Sequence, residues 1–229
     1  MIGCLCLHGF TGEPWEVEPV ANYLFEKKRW LVYTPTLPGH GPEGNLGDVT
    51  YAHWLLTAEI AVEELLSRCE KVYVIGFSMG GMLACHIAAK FPVEKLVLLS
   101  AAAYYVNPIQ LLQELKDVVR LQFRGELESD DHYQLYRQKV METPLKAVKQ
   151  FMDAVRAIKP QLGNVKIPTL IVQGEKDGIV PVKSAQFLYD TIASEKKELF
   201  FLKDAKHMIC HGFEQFELMQ TIEEFLMKE

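Results

Sequence analysis

The 229-residue chain is short of several things, and each shortage removes a class of function. Its five cysteines are an odd number with no CxxC pair. Cys4, Cys6 and Cys85 lie inside apolar strand or helix patterns, where a reduced thiol behaves as a small hydrophobe. A disulfide framework and a cysteine metal cluster are therefore not expected. No basic run exceeds Lys27-Lys28-Arg29, and 24 Lys and Arg against 30 Asp and Glu leave a formal charge of -6, so nucleic acid is not an expected partner. No apolar stretch reaches the roughly 18 residues of a membrane-spanning helix. The apolar N-terminus MIGCLCLHGF has no basic region before it and no cleavage-like site after it, and the chain reads as cytoplasmic. Internal repeats and low-complexity tracts are absent too. A composition of 49% hydrophobic and 24% charged residues is that of an ordinary globular domain, here one domain with room for an insertion.

What the sequence does have is organised around residues 72–84, VYVIGFSMGGMLA. A β-branched run stops at Gly76, Ser78 follows, and Gly80 and Gly81 open a helix-forming stretch. The segment reads as a strand, a sharp turn and a helix, with Ser78 at the apex of a GxSxG pattern. Crowding explains the glycines, because a side chain at either position would strike the turn or the neighbouring helix. The Ser78 hydroxyl then stands beside a helix N-terminus, where unpaired N-H groups can receive a developing oxyanion.

Around this turn, strand and helix signals alternate. Residues 2–7 form a short buried strand running into His8-Gly9-Phe10-Thr11-Gly12, and Val17, Val20, Ala21, Leu24 and Phe25 follow at helical spacing. Residues 30–34 form a second strand, closed by Pro35 and the turn-rich Pro38-Gly39-His40-Gly41-Pro42. Trp54, Leu55, Ala58, Val62, Leu65 and Leu66 make the next stripe. After a strand at 95–100, no strand signal returns until Thr169. The interval carries two helical stripes, Leu111, Leu112, Leu115, Val118 and Val119, then Leu145, Val148, Phe151, Met152, Val155 and Ile158, divided by a polar segment at 128–133. Strands at 169–173 and 198–202 and a last helix through Leu218, Ile222, Phe225 and Leu226 close the chain. This order predicts an α/β fold, a doubly wound and mostly parallel sheet of about six strands, with residues 101–160 inserted as a helical cap within a single domain, 1–229.

Chemistry in such a sheet sits at the carboxyl ends of the strands. Two further residues fall there: Asp177, in Gly174-Glu175-Lys176-Asp177-Gly178-Ile179-Val180-Pro181, and His207, in Lys203-Asp204-Ala205-Lys206-His207. The chain order is Ser, Asp, His. HGFTG, GFSMGG, the GxxDxxVP segment and a late histidine together resemble the α/β-hydrolase superfamily, and within it the small bacterial carboxylesterases and monoacylglycerol lipases with a short helical cap. The resemblance covers essentially the whole chain, except that the antiparallel strands usually preceding the HGF strand are missing. It implies Ser78 as nucleophile, His207 as general base and later acid, Asp177 as the group orienting His207, and the N-H groups of Phe10 and Met79 as an oxyanion hole, with no cofactor and no metal.

Each assignment has a competitor. Asp177 before a glycine is also a turn residue, with Glu175, Asp190 and Asp204 nearby. His211 competes with His207, or lines the site, or caps the last helix. His8 is expected to brace the HGF loop, His40 and His53 to be structural or substrate-side, and His86 to be packed in its helix. Tyr104, Tyr105, Phe123 and Met152 read as cap core. The expected function is a serine carboxylester hydrolase acting on a small-molecule ester of short to medium acyl chain, as a monomer or homodimer. Monoacylglycerol lipase, lysophospholipase or thioesterase chemistry on the same fold is the alternative, and a hydrolase-like binding protein without catalysis a more distant one. The missing strands would leave residues 30–34 at an open edge, to be paired in a dimer or shielded by residues 38–47.

Overall fold

The computed structural model describes residues 1–41, 44–104 and 143–228. Six strands form one sheet: β1 (Ile2–Leu7), β2 (Leu31–Tyr33), β3 (Lys71–Phe77), β4 (Lys95–Leu99), β5 (Thr169–Gly174) and β6 (Lys197–Leu202). Their order is β2-β1-β3-β4-β5-β6 and every pairing is parallel, as the alternation of strand and helix signals predicts. The inner strands are mostly apolar because both faces are covered. Leu5, Leu7, Val72, Val74, Leu96, Leu98 and Ile171 face one core. Cys4, Cys6, Ile75, Phe77, Val97, Leu99 and Val172 face the other.

Six α-helices are described: α1 (Glu18–Lys28), α2 (Tyr51–Arg68), α3 (Met79–Lys90), α4 (Leu145–Ile158), α5 (Lys183–Thr191) and α6 (Gln215–Met227). α1 and α6 bury their stripes in one core, while α2, α3, α4 and α5 bury theirs in the other. Val20, Ala21 and Leu24 of α1 are buried as their spacing predicts, but Phe25 is 55% exposed, so the apolar stripe is narrower than the sequence suggests. α2 starts in a reciprocal cap, in which the Thr50 side chain takes an N3 N-H and His53 Nδ1 accepts the Thr50 N-H at 3.0 Å. This gives His53 the structural role.

β2 is an edge strand. It is only three residues long and pairs with β1 alone, and such shortness limits what a second chain could add to it. The described part of the 38–47 loop leaves Tyr33 40% exposed, so shielding there is incomplete.

Between β4 and β5, the described residues are 100–104 and 143–168. In α4, Val148, Phe151, Val155 and Ile158 are buried as expected, whereas Leu145 is 61% exposed. The first stripe, 111–119, the polar segment 128–133, Tyr105 and Phe123 lie outside the described residues. Both roots of the segment are fixed by polar ties. Ser184 Oγ, buried on α5, donates to the Ala101 carbonyl at 2.7 Å and accepts the Ala103 N-H at 2.9 Å. On the other side, Gln150 Oε1 accepts the Tyr51 N-H at 3.1 Å and Lys146 Nζ donates to the Gly47 carbonyl at 2.7 Å. Tyr104 meets Phe187 of α5 edge-on at 4.9 Å, and Met152 packs half-buried on the main core.

The strand order reverses between β1 and β3, so the crevice that open α/β sheets use for ligands lies beyond their carboxyl ends. The HGFTG loop leaves one and Ser78 the other.

Candidate active site

Ser78 sits between β3 and α3 with φ 53° and ψ -116°, a conformation that costs a non-glycine residue roughly 1–3 kcal/mol and persists only where the surroundings impose it. Here the backbone is pinned on both sides: the Ser78 N-H donates to Leu99 at 2.9 Å, and its carbonyl accepts from Gly81 at 3.0 Å and Ala102 at 3.1 Å. A Cβ at Gly76 would strike the backbone of Gly80, as crowding at the turn predicts. A Cβ at Gly80 would strike the carbonyls of Leu7 and His8, so that glycine answers to the neighbouring strand end rather than to the turn.

His207 Nε2 lies 3.1 Å from Ser78 Oγ, and His207 Nδ1 lies 2.8 Å from Asp177 Oδ2. A carboxylate can only accept, so Nδ1 carries the proton and Nε2 is left to accept from the serine hydroxyl. The three side chains are almost wholly withdrawn from solvent, with Asp177 covered completely and His207 4% exposed. Burial alone would push the Asp177 carboxyl up. The His207 ring, by its charge and its hydrogen bond, and the N-H groups of Val180 and Ile179 outweigh this and hold it below its ordinary value. Asp177 is a turn residue and a partner of His207 at once. Oδ1 accepts Ile179 and Val180 N-H at 2.8 and 2.9 Å, and Oδ2 faces the imidazole. The competing acids are elsewhere: Asp204 pairs with Lys176 at 2.6 Å, Asp190 accepts from Gln186 at 2.9 Å, and Glu175 is exposed.

The other histidines have separate tasks. His211 Nε2 hydrogen-bonds the Trp15 carbonyl at 2.9 Å and its ring meets the indole edge-on, so it ties two loops and does not approach Ser78. His8 Nε2 accepts the Leu37 N-H at 3.0 Å, which leaves Nδ1-H for Gly9 O at 2.9 Å, and so braces the HGF loop against the chain after β2. His40 packs edge-on against His8, Phe10 and Trp54. His86 is buried in α3 but also hydrogen-bonded, to Gln161 and Glu59, each at 2.8 Å.

Phe10 follows Gly9 at the end of β1, and its ring stacks on Phe151 of α4 at 5.3 Å. Thr11, at φ 65°, donates its hydroxyl to the Phe10 carbonyl at 2.6 Å. Met79 opens α3, whose first N-H groups have no acceptor within the helix. A cavity of about 140 Å³ lies beside this loop between Thr11, His40, Leu46 and Pro144. Among the described residues, no three His, Cys, Asp or Glu side chains converge as a metal site.

Sequence reasoning misses Glu16. Its side chain is buried behind the HGFTG loop, where Oε2 accepts the Gly9 N-H at 2.8 Å, and a Cβ on Gly12 would collide with the carboxyl. Burial pushes this carboxyl up to about 8, against the opposing Gly9 hydrogen bond and with a further upward push from Glu13. The linkage has a definite sign. Between roughly pH 4.5 and 8 the unfolded chain has released this proton and the folded chain holds it, so stability falls as pH rises. Glu16→Gln keeps an oxygen for Gly9 and removes the titration. Between pH 5 and 8 wild type is expected to lose roughly 3 to 4 kcal/mol of unfolding free energy relative to this variant. Urea unfolding at the two pH values checks it; parallel losses in both proteins contradict it.

The family model described as serine aminopeptidase, S33 matches residues 3–214. A thermostable monoacylglycerol lipase of Bacillus sp. (strain H-257) is 27% identical over 99% of this chain and 91% of its own length. A carboxylesterase of Bacillus subtilis (strain 168) is 24% identical over 98% of this chain and 92% of its own. Among solved structures, one from the metagenome-derived lipolytic enzymes LipS and LipT superposes with a TM-score of 0.80 at 24% identity, covering 100% of this chain and 94% of that one. The monoacylglycerol lipase of Paleococcus ferrophilus does so with 0.74 at 22%, covering 98% and 93%.

Proposed function

We propose that this chain, which belongs to the serine aminopeptidase, S33 family of α/β-hydrolases, is a serine carboxylester hydrolase that works through an acyl-enzyme on Ser78. The observation that carries this reading is the buried hydrogen-bonded series from Ser78 Oγ through His207 to Asp177 at the carboxyl ends of the strands. A serine hydroxyl is a weak nucleophile at neutral pH. His207 Nε2 takes its proton as Oγ attacks the acyl carbon, then returns that proton to the departing alcohol, and repeats both steps with water to release the acid. Asp177 keeps the ring in the required tautomer and faces the imidazolium as it forms. The N-H groups of Phe10 and Met79 receive the tetrahedral oxyanion, an interaction worth roughly 3 to 4 kcal/mol for one donor in a comparable hydrolase.

For the substrate, the lining supports a neutral ester. The Phe10 ring is packed between Phe151 and Trp54, and neither HGFTG nor GFSMGG contributes a Lys or Arg to hold an anion. An aminopeptidase needs an acceptor for the substrate's α-ammonium. Among the described residues the carboxylates at hand, Asp177 and Glu16, are buried and already engaged. Activity on p-nitrophenyl esters and monoacylglycerols is expected to rise from acetyl to medium-chain acyl groups. The gain is up to about fourfold per methylene fully buried, and it ends where the chain outgrows the pocket. A graded acyl panel run beside aminoacyl p-nitroanilides tests this. A strong preference for acetyl or charged acyl groups, or for the anilides, contradicts it.

A further inference from the structure

Asp177 Oδ2, the oxygen that faces His207, has a second donor. Gln173 Nε2 lies 2.8 Å from it, the same distance as His207 Nδ1. Gln173 is fully buried in β5 and is the one polar side chain in an otherwise apolar stretch between Thr169 and Gly174. Its surroundings fix the amide's orientation. Nε2 also faces the carbonyls of Val180 at 3.3 Å and Gly174 at 3.4 Å, so a flipped amide would set its oxygen against three others. Gln173 Oε1 then has no hydrogen-bond partner among the described residues. A buried, unpaired amide oxygen costs free energy that a Leu or Met of similar size would not incur. Space filling alone does not account for glutamine here.

We propose that Gln173 is a positioning residue for the Ser78, His207 and Asp177 machinery: it locks the Asp177 carboxylate toward His207 and, by sharing Oδ2, limits how strongly that carboxylate favours the protonated ring. The inference rests on the triad reading given above. Ile179 and Val180 hold only Oδ1, and the Gln173 amide adds to the His207 bond a second tie on Oδ2 that resists turning of the carboxylate about its Cβ–Cγ bond. The groups against the carboxylate are these N-H donors and the His207 ring, which itself touches Ser78 and Phe77. The charges on the two flanking loops, Glu175, Lys176, Lys203, Asp204 and Lys206, point to solvent. With the neutral donor removed, the Oδ2 charge falls to His207 alone, and protonation of the ring becomes easier.

The test compares Gln173→Met with the wild-type protein on a neutral ester across pH. In the variant, kcat is expected to fall roughly tenfold, the scale of one hydrogen bond to a charged group, with KM within about twofold. The pH at which half the activity is lost on the acid side should move up, and the His207 Nδ1-H proton resonance should move downfield. Tm should change by only a few degrees, since loss of the hydrogen bond to the Asp177 carboxylate is offset by removal of an unpaired buried oxygen. Gln173→Asn, too short to reach Oδ2, should show the same acid-side shift while keeping a polar side chain. Loss of activity with the acid side unmoved and Tm lowered would make Gln173 a packing residue and overturn the proposal, as would an unchanged rate and profile. Turnover by a Ser78→Ala protein would remove the triad reading, and this inference with it.

Discussion

Ser78→Ala is expected to lower kcat by about a millionfold, the loss seen when the nucleophile of a comparable serine hydrolase is removed, while the protein stays folded. The two halves of this expectation have separate causes. Chemistry stops because the only atom deleted is the one 3.1 Å from His207 Nε2, and among the described residues no other hydroxyl is hydrogen-bonded to that nitrogen. The fold persists because the bonds that pin the strained turn are backbone bonds, to Leu99, Gly81 and Ala102, and alanine keeps all of them. Alanine at φ 53° meets the same steric cost as serine, so Tm should change by no more than a few degrees. Retention of activity within tenfold of wild type would rule Ser78 out as nucleophile.

The second large effect separates the two late histidines. His207→Ala should lose roughly four to six powers of ten in kcat/KM, because among the described residues His207 is the one base hydrogen-bonded to Ser78 Oγ. It should also lose stability, since the buried Asp177 carboxylate would keep its N-H donors and lose the His207 ring. His211→Ala removes one hydrogen bond to the Trp15 carbonyl and an edge contact with its ring, both near the surface, so its activity should stay within about tenfold of wild type. Initial rates on one neutral ester, with thermal unfolding of each variant, decide it. The reverse ranking would reassign the base.

Most of the scaffold is legible in the sequence because parallel strands covered on both faces leave continuous apolar runs, as residues 2–7 and 72–77 do. The site is legible where function demands a rare local pattern. GFSMGG marks a turn only glycine can flank, and Asp177 and His207 each follow a strand end at short distance. What escapes is set by contacts between distant segments. Nothing around Glu16 distinguishes it from the half-buried Glu13 or the exposed Glu18, and only the folded loop puts its carboxyl under Gly9. Ser184 looks like any helix serine until Ala101 and Ala103 arrive from the end of β4. Gln173 did leave a signal, a lone amide in a buried strand four residues before the acid. Its meaning depends on where the Asp177 side chain turns. Phe25 fails in the opposite direction, since helical spacing places it at the margin of the stripe and the core ends before reaching it.

The central claim is that Ser78 is activated by His207 for attack on an acyl-type electrophile, and covalent labelling tests it most directly. Incubation with a fluorophosphonate probe, proteolysis and mass spectrometry should find one adduct per chain, on the peptide carrying Ser78. The adduct should be absent in Ser78→Ala and should form far more slowly in His207→Ala. No adduct on the folded wild-type protein, or an adduct on another residue, would contradict the account.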